Sequence, residues 1–427
     1  MDIGPSPIEA LAPAASTDPE SVAIAALSHV NGNASRNSYL VVDETWTLAQ
    51  AADLAPHHPN TGKPLYGLPI ALKDCFDLQG FVTTAGSRFY AHHNAPAGED
   101  SWVAAQLKTT GAVITGKTHM QMLAYGITGE NRDYGDCLQP EDATSLTGGS
   151  SSGSAAAVQE GSAIAAIGTD TGGSIRAPAA LCGLAGYRAS LSVGDWCGGA
   201  HLAESFDTIG WLCRDLRDLP LLVRALFDIG TESHLDPSRV RVSILSGSML
   251  DECDPSVLPS MLHWKERLLR AGVSLNDMEP DFWADAFSIY APLQAAEAAR
   301  LHAGVYDEFE PAIADRLRWG ASLHPHEIAE WKTRYHSFVQ QTEILFSRSD
   351  FFLLPAVPMQ RLIAGEDQSA QRPRILRYTT PASLAGLPAI ILPGRPGLQL
   401  LAARGNDSRL LAFAARLGTM LAAENAF

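Results

Sequence analysis

The sequence predicts an α/β fold built as one large domain. Short apolar runs of strand length alternate with helical periodicities from end to end, the pattern of a sheet covered by helices. Of 427 residues, 46% are apolar and 18% charged, which is too apolar for disorder and ample for a sizeable core. No internal repeat or long linker divides the chain. Residues 1–427 therefore read as a single unit, with a helix-rich stretch at 255–350 expected to stand beside the sheet as a cap.

Thr17-Asp18-Pro19-Glu20 opens a helix, with proline early in its first turn. A second helix is read at Glu44–Leu54. Leu68–Lys73 (LPIALK) is an apolar run that suits a buried strand ending at a lysine. Asp100–Thr109 reads as a helix closed by Gly111, and Ala112–Thr115 as a strand followed by Lys117. Residues 144–194 are dense in Gly, Ser and Ala. Composition alone would suit a linker, but apolar runs interleave with the Gly/Ser turns. Ser154–Glu160 suits a small-residue helix stopped by Gly161, and Ala163–Ile167 a strand. Thr169–Ser174 is then a turn, and Ile175–Leu184 starts another helix. Downstream, Arg239–Leu245 alternates like a strand. Val257–Arg270, Trp283–Ala303 and Ile328–Phe346 are helical. Phe351–Leu354, Ala389–Leu392 and Leu398–Ala402 are short strands, and Arg409–Ala423 is a final amphipathic helix.

Charge narrows the function. Lys plus Arg is 31 and Asp plus Glu is 47, so the net charge is −16, with no basic run; a nucleic-acid partner is disfavoured. The start, MDIGPSPIEA, has neither a basic nor an apolar signal region, and no apolar window is long enough to span a membrane. The six cysteines make no C-x-x-C pair and suit neither zinc nor a disulfide framework. Reduced thiols in a cytoplasm are the expectation. There is no H-E-x-x-H and no His/Cys/carboxylate cluster, so neither a metal nor a cofactor is expected; His92-His93 reads as a solvated pair.

Two motifs mislead. Gly111-Ala-Val-Ile-Thr-Gly116-Lys117-Thr118 matches G-x-x-x-x-G-K-T, but its middle residues are themselves the apolar strand. A phosphate loop must instead follow a strand and open a helix. Gly149-Ser150-Ser151-Ser152-Gly153 matches G-x-S-x-G, yet the residues before it (EDATSLT) are polar and no downstream His lies in a compelling turn.

The chemistry gathers in two Gly/Ser turns that flank one helix and one strand, residues 148–154 and 168–176. Glycines let backbone approach a ligand closely. Thr171-Gly172-Gly173-Ser174 at a helix start can present successive N–H groups to one point, a cradle for a developing oxyanion. Taken singly, Ser150 and Ser174 read more readily as helix N-caps than as catalytic groups.

Together the turns, GGSSSGSAAA and GTDTGGSIRAPAALCG, are similar to the amidase signature, a specific motif. LPIALKD at 68–74, GAVITGKT at 111–118 and TPASLAGLPAIILP at 380–393 extend the likeness. It is close over residues 63–225 and loose over 375–427. It resembles most the plant-type indole-3-acetamide amidases, through ITGENRDYG (127–135), GGSSSGS and ESFDTIGWLCRD (204–215). The resemblance implies the amidase signature fold, a central mixed twisted β-sheet covered by helices. It implies Ser174 as nucleophile, Ser150 as a bridging serine reached through a cis peptide bond, and Lys73 as base. It further implies an oxyanion hole from the N–H groups of Thr171, Gly172, Gly173 and Ser174, with Asp170 and Arg176 bracing the loop. Met122, Tyr125 and Gly149 would line the substrate site. The expected reaction is hydrolysis of a small amide, aryl- or indole-acetamide-like, by a cytoplasmic monomer or homodimer without membrane or nucleic-acid partners. The rival implications are the A subunit of a glutamine-dependent tRNA amidotransferase, or a non-catalytic scaffold. For Lys73 to act as base, burial must lower its pKa from the reference of about 10.4. The sequence departs from the family pattern at Thr147, often proline, and at 188–195, where divergence is expected in the pocket wall.

Overall fold

The computed structural model describes residues 4–54, 62–230, 232 and 235–424. Among these, eleven strands form one sheet. In chain order they are Tyr39–Val41 (β1), Pro69–Lys73 (β2), Val113–Thr118 (β3), Ala165–Thr169 (β4), Ala185–Arg188 (β5), Ile209–Cys213 (β6), Arg241–Leu245 (β7), Ser274–Met278 (β8), Phe351–Pro355 (β9), Ala389–Leu392 (β10) and Leu398–Ala402 (β11). Across the sheet they run β1-β3-β2-β4-β6-β5-β10-β11-β9-β7-β8. β2 lies parallel to both β3 and β4, and β9, β7 and β8 are parallel to one another. The strands between these groups pair antiparallel, so the sheet is mixed, as expected.

Six helices position the site: Ser152–Glu160 (α1), Arg176–Cys182 (α2), Ala286–Leu301 (α3), Pro311–Ser322 (α4), Pro325–Phe346 (α5) and Gln371–Leu384 (α6). Every residue of α1 and α2 is buried, which only their Ala, Gly and Ser content allows at such close range. A Cβ on Gly153 would stand 2.1 Å from the Ser38 carbonyl oxygen. Gly161 ends α1 in the left-handed conformation, as the sequence anticipates.

Several expectations need correction. The 255–350 stretch is not purely helical, because β8 crosses it and forms the sheet edge. Its residues SLNDM are largely solvated and lack an apolar face, which hides them from a periodicity reading. The helix expected from Trp283 begins at Ala286, after a 3-10 turn at Asp281–Asp285. TPASLAGLPAIILP is half helix: its first five residues finish α6, and only Ala389–Leu392 is strand.

Candidate active site

The parallel strands β2, β3 and β4 end together, at Lys73, Thr118 and Thr169. Carboxyl ends of parallel strands are where open α/β sheets bind ligands. Lys73 is fully buried there. Its Nζ lies 2.9 Å from Ser150 Oγ and donates to Thr169 Oγ1 at 2.6 Å. Burial pulls its pKa down to about 8, against weaker opposing pulls from Cys75, Asp170 and Asp207.

Ser150 follows a cis peptide bond from Gly149. Gln121 holds this loop: its N–H donates to the Ser150 carbonyl at 3.1 Å, and its Oε1 accepts from Thr128 and Gly129 N–H at 3.0 and 3.1 Å. Ser151 N–H donates to the Ser174 carbonyl at 3.2 Å, tying one turn to the other. Among the described residues, no hydrogen bond joins Ser174 Oγ to Ser150 Oγ.

The second turn is organised by Asp170, which is fully buried. Its carboxylate accepts from Arg176 through Nε and Nη2, both at 2.9 Å, and from Arg188 Nη1 at 2.7 Å. It also accepts from the N–H groups of Gly173, Ile175 and Arg176. Burial pushes its pKa up, but the two guanidiniums outweigh that and hold it well below the usual carboxylate range. The Gly173 N–H is thereby committed to Asp170 at 2.8 Å, which departs from the expected four-donor oxyanion hole. The N–H groups of Thr171, Gly172 and Ser174 have no acceptor among the described residues. Thr379 Oγ1 donates to the Gly172 carbonyl, and Thr171 Oγ1 donates to Asp207 at 2.6 Å, which orients these peptides. Gly173 has φ +127°, and a Cβ there would meet the Thr379 side chain at 2.7 Å.

Ser174 opens onto a cavity of about 10 Å³, lined also by Tyr125, Gly172, Leu202, Tyr290, Arg372 and Leu376. That is about the room one water needs, so a substrate must displace its walls. Of the three residues expected to contact substrate, only Tyr125 lines this cavity. Met122 packs in the core, and Gly149 is held behind Ser150 by its N–H bond to the Ile127 carbonyl at 2.9 Å. The divergent segment 188–195 does not line it either: Arg188 turns inward to Asp170 instead. Thr169, Tyr290, Gln294 and Arg372 are additions. Thr169 had a signal, as a hydroxyl at a buried strand end; the others come from a region without diagnostic motifs.

The false phosphate loop is explained. Lys117 is buried against Asp74 at 2.7 Å and donates to Val82 O and Thr83 Oγ1. No group able to hold a metal is found among the described residues.

Fold and site together define an amide hydrolase. A family model described as amidase matches residues 24–411, and the chain belongs to that amidase family. It is 30% identical over 430 residues to AtzE of Pseudomonas sp. (strain ADP), a component of 1-carboxybiuret hydrolase, covering 91% of this chain and 92% of that one. It is 27% identical to the A subunit of the glutamyl-tRNA(Gln) amidotransferase of Legionella pneumophila (strain Paris), with 91% of each chain covered. Amidase 1 of Oryza sativa subsp. japonica is 38% identical over 199 residues, 47% of this chain and 46% of that one. A crystal structure of an amidase superposes with TM-score 0.87 at 28% identity, covering 99% of this chain and 100% of that one.

Proposed function

We propose that the chain hydrolyses the C–N bond of a small carboxylic amide through an acyl-enzyme, with Ser174 as nucleophile, Ser150 as relay and Lys73 as base. The observation that carries this reading is the buried Lys73 amine, 2.9 Å from Ser150 Oγ and lowered to about 8. Such an amine is partly neutral near pH 7 and can accept a proton. Ser174 Oγ attacks the amide carbon while its proton passes to Ser150 and the Ser150 proton passes to Lys73. The Ser150–Ser174 link forms on substrate binding, as catalytic hydrogen bonds commonly tighten in the reacting complex. The N–H groups of Thr171, Gly172 and Ser174 receive the oxyanion. The proton returns by the same path to the departing amine, and water then releases the carboxylate. All these groups belong to one chain, so a monomer or homodimer suffices. Six unpaired thiols fit a cytoplasmic setting.

Ser174→Ala is expected to abolish ammonia release from a panel of amides, indole- and aryl-acetamides included. A fluorophosphonate should label only the protein that retains Ser174. Substantial hydrolysis by the alanine variant would overturn the assignment.

The similarity to a glutamyl-tRNA(Gln) amidotransferase component favours a second reading, in which ammonia from glutamine passes to a partner. The isolated chain decides: release of ammonia from simple amides, with no preference for glutamine, favours the free hydrolase. A non-catalytic scaffold is opposed by the presence of Lys73, Ser150 and Ser174 together.

A further inference from the structure

Two buried carboxylates flank the turn that presents Ser174, and they are held differently. Asp170 has two guanidiniums, those of Arg176 and Arg188. Asp207, 4% exposed, pairs with no lysine or arginine among the described residues. Its one titratable hydrogen-bond partner there is His201, whose Nδ1 lies 2.9 Å from Asp207 Oδ2.

The two meet because the chain from His201 to Asp207 closes into a turn just before β6. Asp207 Oδ2 also accepts the N–H groups of Leu202 and Ala203, at 3.0 and 3.1 Å, and the Asp207 N–H donates to the Ala203 carbonyl at 3.0 Å. Oδ1 is left for Thr171, whose hydroxyl donates to it at 2.6 Å. Trp196 sets the plane of the His201 ring, with centroids 4.5 Å apart and 25° between the planes. The hydrogen bond to Asp207 raises the His201 pKa, against the opposing effect of burial. That bond needs a proton on Nδ1, which imidazole and imidazolium both supply.

Thr171 makes no backbone hydrogen bond among the described residues, so its hydroxyl bond to Asp207 is what orients it. The backbone bonds nearby hold its neighbour instead: Asp170 N–H donates to the Thr208 carbonyl at 2.8 Å, and Thr208 Oγ1 donates to the Asp170 carbonyl at 2.8 Å. A single side-chain path thus runs from His201 through Asp207 to a peptide whose N–H is free.

We propose that His201 is a positioning residue for the reaction: it fixes the Asp207 carboxylate, which aims the Thr171 N–H at the developing oxyanion. The proposal rests on the hydrolytic reading above. A donor that loses its aim weakens transition-state stabilisation more than substrate binding, so the effect belongs in kcat. His201 also lines a cavity of about 220 Å³, which Cys75, Tyr90 and His302 share. Removing its ring therefore opens onto space that free imidazole can enter.

His201→Ala should lower kcat by about 10- to 100-fold and move KM by less than about twofold. Asp207 keeps three neutral donors in this variant, so it should fold, which circular dichroism checks. His201→Asn sets an amide N–H where Nδ1 stood and should recover most of the loss; imidazole added to His201→Ala should recover part of it. Thr171→Val removes the hydroxyl but keeps the peptide N–H. Its loss should match that of His201→Ala, and the double variant should be no slower than Thr171→Val alone. Phosphonylation of Ser174 by a fluorophosphonate, which also draws charge onto an oxygen facing these N–H groups, should slow in the same order. Wild-type kcat in His201→Ala, a loss carried by KM, or a loss that neither asparagine nor imidazole restores would overturn the proposal. Unchanged kcat in Thr171→Val overturns it too, whether or not His201→Ala folds. If wild type hydrolyses amides and is labelled at Ser174 while these variants match it, only the role of His201 is wrong. If wild type does neither, the hydrolytic reading fails and this role with it.

Discussion

Lys73 must be buried to be useful, and burial alone would leave its polar nitrogen unsatisfied. Ser150 and Thr169 resolve this, offering two hydroxyls and no carboxylate within hydrogen-bond reach. A carboxylate there would lock the ammonium on; hydroxyls let burial lower its pKa to about 8. The role proposed for Lys73 requires the free amine, which is the minor form below that value. Turnover should rise about tenfold per pH unit up to pH 8 and level off above about pH 9, as read from a pH–rate profile. Lys73→Arg should lose at least about 10²-fold in kcat, as much as Lys73→Ala, because guanidinium stays protonated. Near-normal turnover by Lys73→Arg would show that charge, not basicity, is what the site needs. The motifs that carry Lys73, Ser150 and Ser174 were legible in the sequence because each is dense and specific. Arg372 and Tyr290 were not: single residues on helices, they reach Ser174 only because the chain folds back across about 200 and 115 residues.

The turn between β4 and α2 is held by one carboxylate with two guanidiniums and three peptide N–H groups. Asp170→Asn keeps the size but leaves Arg176 and Arg188 buried without an anion. Loss of one partner from a buried pair costs about 3–5 kcal/mol, so denaturant midpoints should fall accordingly. The N–H groups of Thr171, Gly172 and Ser174 should also lose their common aim, lowering kcat more than it raises KM. A variant as stable as wild type would show that this cluster is not what fixes the turn. At this scale, legibility followed burial pattern. β2, β10 and β11 are short, wholly buried runs and stand out as apolar words. β5 reads AGYR and β1 has only three half-buried residues, so neither shows a period. The helix α6 hides because its C-terminal half is buried on all sides and carries Pro381.

The sheet is closed from both ends of the chain. β10 and β11 enter between β5, from the signature half, and β9, which leads on to β7 and β8. The same segments reach the site. Arg176 Nη1 donates to the Thr379 carbonyl at 2.7 Å and to Gln399 Oε1 at 3.0 Å, and its Nη2 donates to Ser383 Oγ at 2.9 Å. Thus the arginine that braces the Asp170 turn is itself braced from residues 379–399. The sequence showed both stretches as family-like but not that they touch, since nothing local records a contact over 200 residues. Such long-range pairing delays formation of the site until the last strands arrive. Removing residues 371–427 should therefore do more than shorten the sheet: it exposes the β5 and β9 edges and strips Arg176 of three acceptors. Circular dichroism of this truncated chain should show no cooperative thermal transition, and fluorophosphonate labelling of Ser174 should be lost with it. Retention of a sharp transition and of labelling would mean that the 63–225 signature region folds and assembles its site alone, and that the C-terminal strands are an addition rather than the closing members of one core.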